Sequence, residues 1–405
     1  MTGQSIFKDV KILEFGQIVA GPLISTYLAD YGAEVVHIES HTRPDQYRFY
    51  PPFKDNKPGI NRGFDFAVYS HNKYGITLNL RHPKGPEVAK RLIKDWANVV
   101  TENFTPGVMK RQGLDYEELK KIKPDIIMLS TCNLGQTGPH AMHPGMGSHL
   151  THLSGFTHLS GWPDRDPLIL YGPYIDFIGV VYGTIALVAA LEYRRQTGKG
   201  QFIDLAQFEG GIQFLIPTLL DYTVNGRIQG RNGNRCDHAA PHGAFPCRGE
   251  DRWCVIAVFT DEEWKKLCTV MGQPDWTKDP RFSTLLGRKR HEEELEKRLS
   301  EWTANFTAEE IMTKLQSVGV EAAMVKDAKE MYEDPHLKEY LWAEMEHPEI
   351  GKHHLQLPSF KLSKSPPQLR RPAPLIGEHN EYVYRELAGF SREEYEQLQK
   401  AGVFD

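Results

Sequence analysis

Gly172-Pro173-Tyr174-Ile175-Asp176 brings one carboxylate to the head of a stretch that carries no further charge until Glu192. Pro173 suits the turn before a helix or its first position, so the pattern predicts a helix starting near Ile175. Asp176 then falls in the first turn, where unpaired backbone N–H groups and the helix dipole favour an anion. Gly179 and Gly183 share one helical face and leave it bare, open to another backbone or a ligand. Two roles fit Asp176. One is a cap or first-turn acid, the common job of Asp at such a place. The other is a nucleophilic carboxylate held in a dry pocket. The local pattern leaves both open.

The elements that must position this residue read as an α/β chain. Residues 10–15 alternate like a strand, 16–22 turn, 23–30 read as a helix closed by Gly32, and 33–39 form a second strand. Such a βαβ unit implies a parallel sheet with helices on its faces. Its turn, Gly16-Gln17-Ile18-Val19-Ala20-Gly21-Pro22, lacks the G-x-G-x-x-G fingerprint of nicotinamide enzymes, although Glu39 ends the second strand as an acid would there. Further strands are expected over 75–80, 99–104, 125–130 and 202–206, and helices over 86–96, 106–111, 115–121 and 209–222. Arg81, Asn103, Thr105, Lys110 and Arg111 all follow strand ends, where ligands collect in open α/β sheets. Each is equally at home as a solvated loop residue.

Basic residues and glycine in Arg194-Arg195-Gln196-Thr197-Gly198 suit the end of the helix that Asp176 opens. From about residue 225 the composition shifts to Gly, Asn and Arg, a linker into a smaller domain with strands at 253–258 and 320–325 and helices at 262–271, 290–302 and 307–318. A Pro-rich return over 357–374 leads to a terminal helix at 391–401. The expected division is a large Rossmann-like domain over 1–224, a small domain over 225–330 and a return to the large domain over 331–405.

With 405 residues, 40% hydrophobic and 25% charged, the chain is long enough for two or three domains of ordinary globular composition. A net charge of −5 argues against a nucleic-acid binder. The first eight residues show no apolar run of the signal-peptide kind. The uncharged run over 177–191 is glycine-interrupted and short for a membrane span, so a buried helix is expected and no membrane partner. Five cysteines without tight pairs fit reduced thiols in a cytoplasm better than disulfides or a zinc site. His238 and His242 are four apart, but Pro241 between them argues for loop histidines.

Seven landmarks stand in one order. They are Val19-Ala20-Gly21-Pro22 with Gly32-Ala33-Glu34-Val35; Asn72-Lys73 before Leu78-Asn79-Leu80; Glu102-Asn103-Phe104 through to Arg111-Gln112-Gly113; Thr197-Gly198-Lys199-Gly200-Gln201 before Asp204; Pro241-His242-Gly243; Asp279-Pro280-Arg281-Phe282; and Gly377-Glu378-His379. Together they resemble the class III CoA-transferase family of formyl-CoA, carnitine and benzylsuccinate CoA-transferases, over nearly the whole chain. The resemblance implies a large Rossmann-like domain built from both chain ends, a small domain between them, and two chains threaded into an interlocked dimer, either a homodimer or a heteromer with a paralogous subunit. It places the family's nucleophilic aspartate on Asp176. It places CoA contacts on Ala20, Leu78, Asn103, Phe104 and Arg111, with Arg81 where a basic residue is usual. The substrates it implies are an acyl-CoA and a carboxylic acid, exchanged through an aspartyl anhydride and an aspartyl-CoA thioester. Coenzyme A is then a substrate, and no metal or permanently bound cofactor is required.

Two departures from the family concern the acid. Gly145-Met146-Gly147 stands ahead of Ser154-Gly155 where an acidic residue is frequent, and the region of the glycine-rich shielding loop reads Asn232-Gly233-Asn234-Arg235-Cys236. A 2-methylacyl-CoA racemase is similar in fold, but needs a histidine base where Met146-Gly147 stands. A non-catalytic subunit of a mixed CoA-transferase is permitted by the altered loops and opposed by the intact Asp176. The aromatic loop at 47–53 and the histidines His149 and His152 point to a bulky or multiply charged acid.

Overall fold

Six short apolar runs build one parallel sheet. They are β1 (Lys11–Glu14), β2 (Glu34–Glu39), β3 (Lys73–Thr77), β4 (Val99–Glu102), β5 (Ile127–Cys132) and β6 (Phe202–Ala206), in the order β3-β2-β1-β4-β5-β6. This is the doubly wound Rossmann order, in which the direction of winding reverses between β1 and β4 and opens a crevice at their carboxyl ends. The register is in phase there, with Leu13 opposite Val36 on one side and Val100 on the other. The account comes from a computed structural model and describes residues 5–405. The first four residues of the N-terminal stretch read above lie outside the described residues.

Strand periodicity sorts the sheet into two faces. Leu13, Val36, Val100 and Met128 point to one side, against Val88, Leu92 and Ile93 of the helix Gly85–Asp95. Ile12, Val35, Val99 and Ile127 point to the other, against Leu23, Ile24 and Leu28 of the helix Ala20–Asp30 and Val180, Leu187 and Ala190 of the helix Tyr174–Thr197. Each such side chain contributes about 1.5–3 kcal/mol by leaving water.

The chain's last residues belong to this same unit, which comprises Met1–Phe156, Ile169–Arg227 and Lys338–Asp405. They cover the outer edge of β3, which would otherwise present unpaired backbone groups. Asn72 N–H donates to Arg371 O, Thr77 N–H to Asn380 Oδ1 and Asn79 N–H to Val403 O at 2.8–3.0 Å. Tyr384, fully buried, donates to Thr77 O at 2.7 Å and stacks on Phe404 with ring centroids 3.9 Å apart.

The second unit comprises Thr157–Leu168 and Ile228–Leu337. It holds an antiparallel sheet of β7 (His242–Pro246), β8 (Trp253–Ala257) and β9 (Glu321–Met324) in that order. Its helices Asp261–Val270 and Ala308–Gln316 start at capping boxes, Thr260 with Glu263 and Thr307 with Glu310. Its core gathers Phe245, Trp264, Phe282, Leu295, Leu299 and Ile311.

Several expectations are corrected. Residues 157–168, read as part of the large domain, group with the second unit, and that unit runs on to Leu337 rather than 330. The helix expected over 209–222 is broken into Gln207–Ile212 and Ile216–Asn225, because Pro217 cannot donate into a continuous helix. The helix expected over 290–302 is likewise two, Leu285–Arg290 and Glu292–Thr303. His242 opens a strand instead of lying in a loop. The helices Gly147–Leu153 and Phe156–Leu159 and the hairpin Trp342–His347 with Gly351–Gln356 carry no periodic signal strong enough to foretell them. The bare face at Gly179 and Gly183 receives side chains instead of another backbone. Gln207 lies over Gly179, and a methyl group on Gly183 would collide with Ile24 and press on Leu205.

Truncating the stack that closes the β3 edge tests this packing. Phe404→Ala should lower unfolding stability by about 3–5 kcal/mol in denaturant titration, the usual cost of emptying a buried aromatic site.

Candidate active site

The helix carrying Asp176 starts at Tyr174 and stops at Gly198, so Asp176 is its third residue. Among the described residues its carboxylate accepts no hydrogen bond from any donor, and no side chain caps this helix. The side chain is 9% exposed and faces a cavity of about 710 Å³. Burial alone pushes its carboxyl up to about 7. Asp176 stands as an acid in the first turn of this helix without capping it by a side-chain hydrogen bond. Gly147 is what lets the carboxylate sit there. A methyl group at this position would overlap Asp176 Oδ2 and the Pro173 ring, so only glycine admits the approach.

The cavity lies at the sheet's switch point and is lined by Ile18, Val19 and Ala20 from the β1 turn, Asn103 beyond β4, Cys132 and Asn133 beyond β5, and Gln207 beyond β6. Tyr47 in the short helical turn Gln46–Arg48, Tyr50 after it and Asp65 in the helix Phe64–Tyr69 close one side, so the segment expected to be irregular ends in a helix, and Gly145 to Ser148 and Ile169 to Tyr171 close another. Burial, then neighbouring Tyr69, Asp65 and Asp176, raises the Tyr47 phenol well above its ordinary value, which puts Tyr47 and Asp176 in one electrostatic neighbourhood.

A second cavity of about 320 Å³ opens over the carboxyl ends of β1, β2 and β3. Leu78, Arg81, Phe104 and Thr105 line it, together with Gln17, Arg43 and Val108. One hydrogen-bonded pair forms the wall between the two. Asn103 Oδ1 accepts from Gln17 N–H at 2.9 Å, and Asn103 Nδ2 donates to Gln17 O at 2.7 Å. Gln17 and Phe104 face the smaller cavity, while Ile18 and Asn103 face the larger.

The turn is held from behind by a cluster of buried charged side chains, in which burial pushes the Asp45 carboxyl up to about 6. Ile18 adopts a left-handed backbone (φ 65°), a conformation that costs a non-glycine residue about 1–3 kcal/mol. Its N–H donates to both oxygens of the Asp45 carboxylate, at 3.0 and 3.2 Å, and that carboxylate also accepts from Tyr47 N–H at 2.8 Å. Below it, Glu14 accepts from Lys73 and His37, and Arg48 grips Glu39 through two bonds of 2.7 Å. Glu39 is thus committed to Arg48 and is no ribose ligand. Its burial opposes ionisation, and the Arg48 hydrogen bonds and charge outweigh that and hold it ionised below the ordinary range.

Of the residues singled out from sequence, Asp176, Ala20 and Asn103 meet at the larger cavity and Leu78, Arg81, Phe104 and Thr105 at the smaller. Arg111 and Lys110 line neither. Arg111 is exposed at the end of the helix Val108–Arg111, whose first residue Val108 reaches the smaller cavity. His149 and His152 lie outside both linings, with His149 Nδ1 accepting from Met146 N–H. Asp65 and Gln207 line the larger cavity without any signal in the sequence, whereas Tyr47 belongs to the aromatic loop at 47–53 and Gly147 to the segment that departs from the family. Among the described residues no three His, Cys, Asp or Glu side chains converge to hold a metal ion.

The family model for CoA-transferase family III matches residues 7–380. The chain belongs to CoA-transferase family III. Among relatives of this family III chain is the succinyl-CoA–D-citramalate CoA-transferase of Chloroflexus aurantiacus, 32% identical over 98% of this chain and 97% of that one. Another is the beta subunit of the same organism's succinyl-CoA–L-malate CoA-transferase, 29% identical over 97% of each chain. A solved CAIB/BAIF family protein from Brucella suis superposes with a TM-score of 0.85 at 29% identity, covering 93% of this chain and 98% of its own. The activity is accordingly that of a CoA-transferase, an enzyme acting on CoA thioesters.

The unpaired carboxylate weakens the free enzyme in a pH-dependent way. Below about pH 4 Asp176 is protonated in folded and unfolded chains alike. As pH rises to about 7 the unfolded chain releases the proton and the folded one keeps it, so stability falls by roughly 4 kcal/mol at about 1.36 kcal/mol per pH unit. Asp176→Asn should therefore be more stable than the parent at pH 8 by a few kcal/mol, with the gap closing towards pH 4, as thermal melts across that range would show.

Proposed function

We propose that this family III enzyme moves CoA from an acyl-CoA to a carboxylic acid with Asp176 as the covalent centre. The observation that carries the reading is an aspartate without hydrogen-bond partners, in a cavity at the Rossmann switch point. A carboxylate loses most of its nucleophilicity to hydrating water, and a dry cavity restores it. An oxygen of Asp176 attacks the thioester carbonyl carbon, the C–S bond breaks, and CoA leaves as the thiolate with the bonding pair. The thiolate attacks the aspartyl carbon of the resulting anhydride, freeing the first acid and forming an aspartyl-CoA thioester. The incoming carboxylate repeats the exchange, and the thiolate finally takes the new acyl group and returns Asp176 to a carboxylate. No net proton is consumed.

Two cavities on either side of the Asn103–Gln17 pair suit the two ends of CoA. Arg43 and Arg81 give the smaller one positive charge for phosphate, and the larger one holds the carboxylate that meets the thioester. Leu78, Phe104 and Ala20 supply apolar walls between. Arg111 stands aside from both and reaches CoA only from the rim.

We also propose that the chain works as a dimer. Phe177, Val181, Ile185 and Val188 form an exposed stripe on the Asp176 helix, and Phe214, Leu219, Leu220 and Val224 expose a second apolar face in the same unit. Apolar area of this extent is rare on a monomer. The occupant is a second copy, or a paralogous chain of the kind the malate relative's name implies. Five unpaired cysteines support a reducing, cytoplasmic setting.

Incubation with an acyl-CoA followed by hydroxylamine should leave a hydroxamate on Asp176 by mass spectrometry. Asp176→Ala should lose CoA exchange by at least about 10³-fold, and normal turnover by that variant would refute the mechanism. Because the carboxylate is the reactive form, kcat/KM should climb with pH through about 7 and level off above it. Sedimentation velocity of the purified chain should give twice the chain mass, and a monomer that is fully active would remove the dimer.

A further inference from the structure

We propose that Asp45 is a positioning residue for the transfer, and that its carboxylate fixes the wall between the two cavities relative to Asp176. The inference rests on the reading of Asp176 as the covalent centre. It starts from Ile18, whose left-handed backbone (φ 65°) is an outlier for a β-branched residue and persists only where its surroundings impose it. Asp45 imposes it, since Ile18 N–H donates to Oδ2 at 3.0 Å and to Oδ1 at 3.2 Å. The residue before Ile18 shows what the strain secures. Gln17 is the backbone half of the pair with Asn103, and a return of Ile18 to negative φ would turn the Gln17 peptide away from that amide.

Asp45 can act as a buttress because it is itself fixed to the sheet. Its N–H donates to Glu39 Oε1 at 2.7 Å, Glu39 is the last residue of β2, and Arg48 grips the same carboxylate. Asp45 is 1% exposed and each of these partners belongs to its own chain, so the contact is complete whatever packs against the Asp176 helix. The same carboxylate reaches a second wall. Its Oδ1 accepts from Tyr47 N–H at 2.8 Å, and Tyr47 and Ile18 both line the larger cavity. Asp45 itself is in the lining of neither cavity. One side chain therefore sets the spacing of two walls from behind.

The other half of the wall has an anchor of its own, because Phe104 N–H donates to Glu102 Oε2 at 2.7 Å. Loss of Asp45 should thus leave Asn103 in place and release Gln17. A thioester led past this wall would then meet Asp176 out of line, and a misplacement of about 1 Å can cost about 10²-fold in rate. The loss should fall on kcat rather than KM, since Leu78, Arg81 and Phe104 of the smaller cavity take no hydrogen bond from Asp45.

The test measures labelled CoA exchange by the purified full-length chain at about pH 8, above the values to which burial raises Asp45 and Asp176. The probe is the fastest of acetyl-CoA, succinyl-CoA and 3-phenylpropanoyl-CoA. Asp45→Ala should lower kcat by about 10²-fold with KM changed less than about threefold, and Asp45→Asn, which keeps one acceptor oxygen, should lower kcat by about tenfold. Ile18→Gly should lower kcat in the parent chain but raise that of Asp45→Ala at least about fivefold, because glycine holds a left-handed backbone unaided. Phe404→Ala, which destabilises the same unit from the β3 edge, should keep kcat within about twofold. A crystal structure of Asp45→Ala should show Ile18 at negative φ and the Gln17–Asn103 bonds broken. A kcat loss no larger than that of Phe404→Ala, no recovery with Ile18→Gly, or an unmoved Ile18 would overturn the proposal. Should Asp45→Ala not fold, Asp45→Asn with and without Ile18→Gly decides by the same comparisons. Turnover by the parent chain without any Asp176 hydroxamate would instead overturn the covalent reading.

Discussion

The fold depends on what it takes to bury one carboxylate and leave it unsatisfied. Proteins bury acids readily when donors come with them, and this one does so repeatedly. Glu14 has Lys73 and His37, Glu39 has Arg48, and Asp45 has two backbone N–H groups. Those hydrogen-bonded acids tie the loops behind β1 and β2 together, whereas Asp176 accepts no hydrogen bond among the described residues. The satisfied cluster and the lone acid are two halves of one arrangement, in which the first spends its hydrogen bonds so that the second can be left without any.

Stability and chemistry pull against each other here. A guanidinium beside Asp176 would hold it ionised at neutral pH and strengthen the fold, as Arg48 does for Glu39, but under the proposed mechanism it would also occupy the lone pairs needed for attack. Glycine at 147 makes the same compromise in shape, since it gives up helix propensity at the start of Gly147–Leu153 to let the carboxylate approach. The left-handed Ile18 is the third such concession, and Asp45 offsets it directly. All three lie on the wall of one cavity, where such concessions concentrate in enzymes.

Much of this is legible in the chain itself, for definable reasons. The Rossmann core reads clearly because β1, β2, β4 and β5 are nearly continuous apolar runs bounded by turns. The Asp176 helix reads clearly because a proline, an isolated acid and an uncharged run coincide, and the start is displaced by a single residue. The division of Asn103 and Phe104 between two cavities is not legible, because it depends on an amide pairing with a backbone 86 residues away. Asp65 and Tyr47 are hidden for a similar reason. They sit in the short helical pieces Gln46–Arg48 and Phe64–Tyr69, too brief to show a period, and only the fold carries these across to residue 176. Arg111 is placed by its motif in the chain, and its side chain stands outside the linings of both cavities.

The route of the chain through its larger unit has a consequence for biogenesis. The edge of β3 is sealed by residues after 370, such as Asn380, 303 positions beyond its partner Thr77, so the parallel sheet stays open on one side until that segment has been made and has docked. The smaller unit, almost continuous in sequence, can complete its own core before then, whereas the larger one needs its third segment. During that interval an exposed strand edge and an apolar helix stripe are presented together, which makes docking of the segment after residue 370 the step that commits the larger unit to the native state.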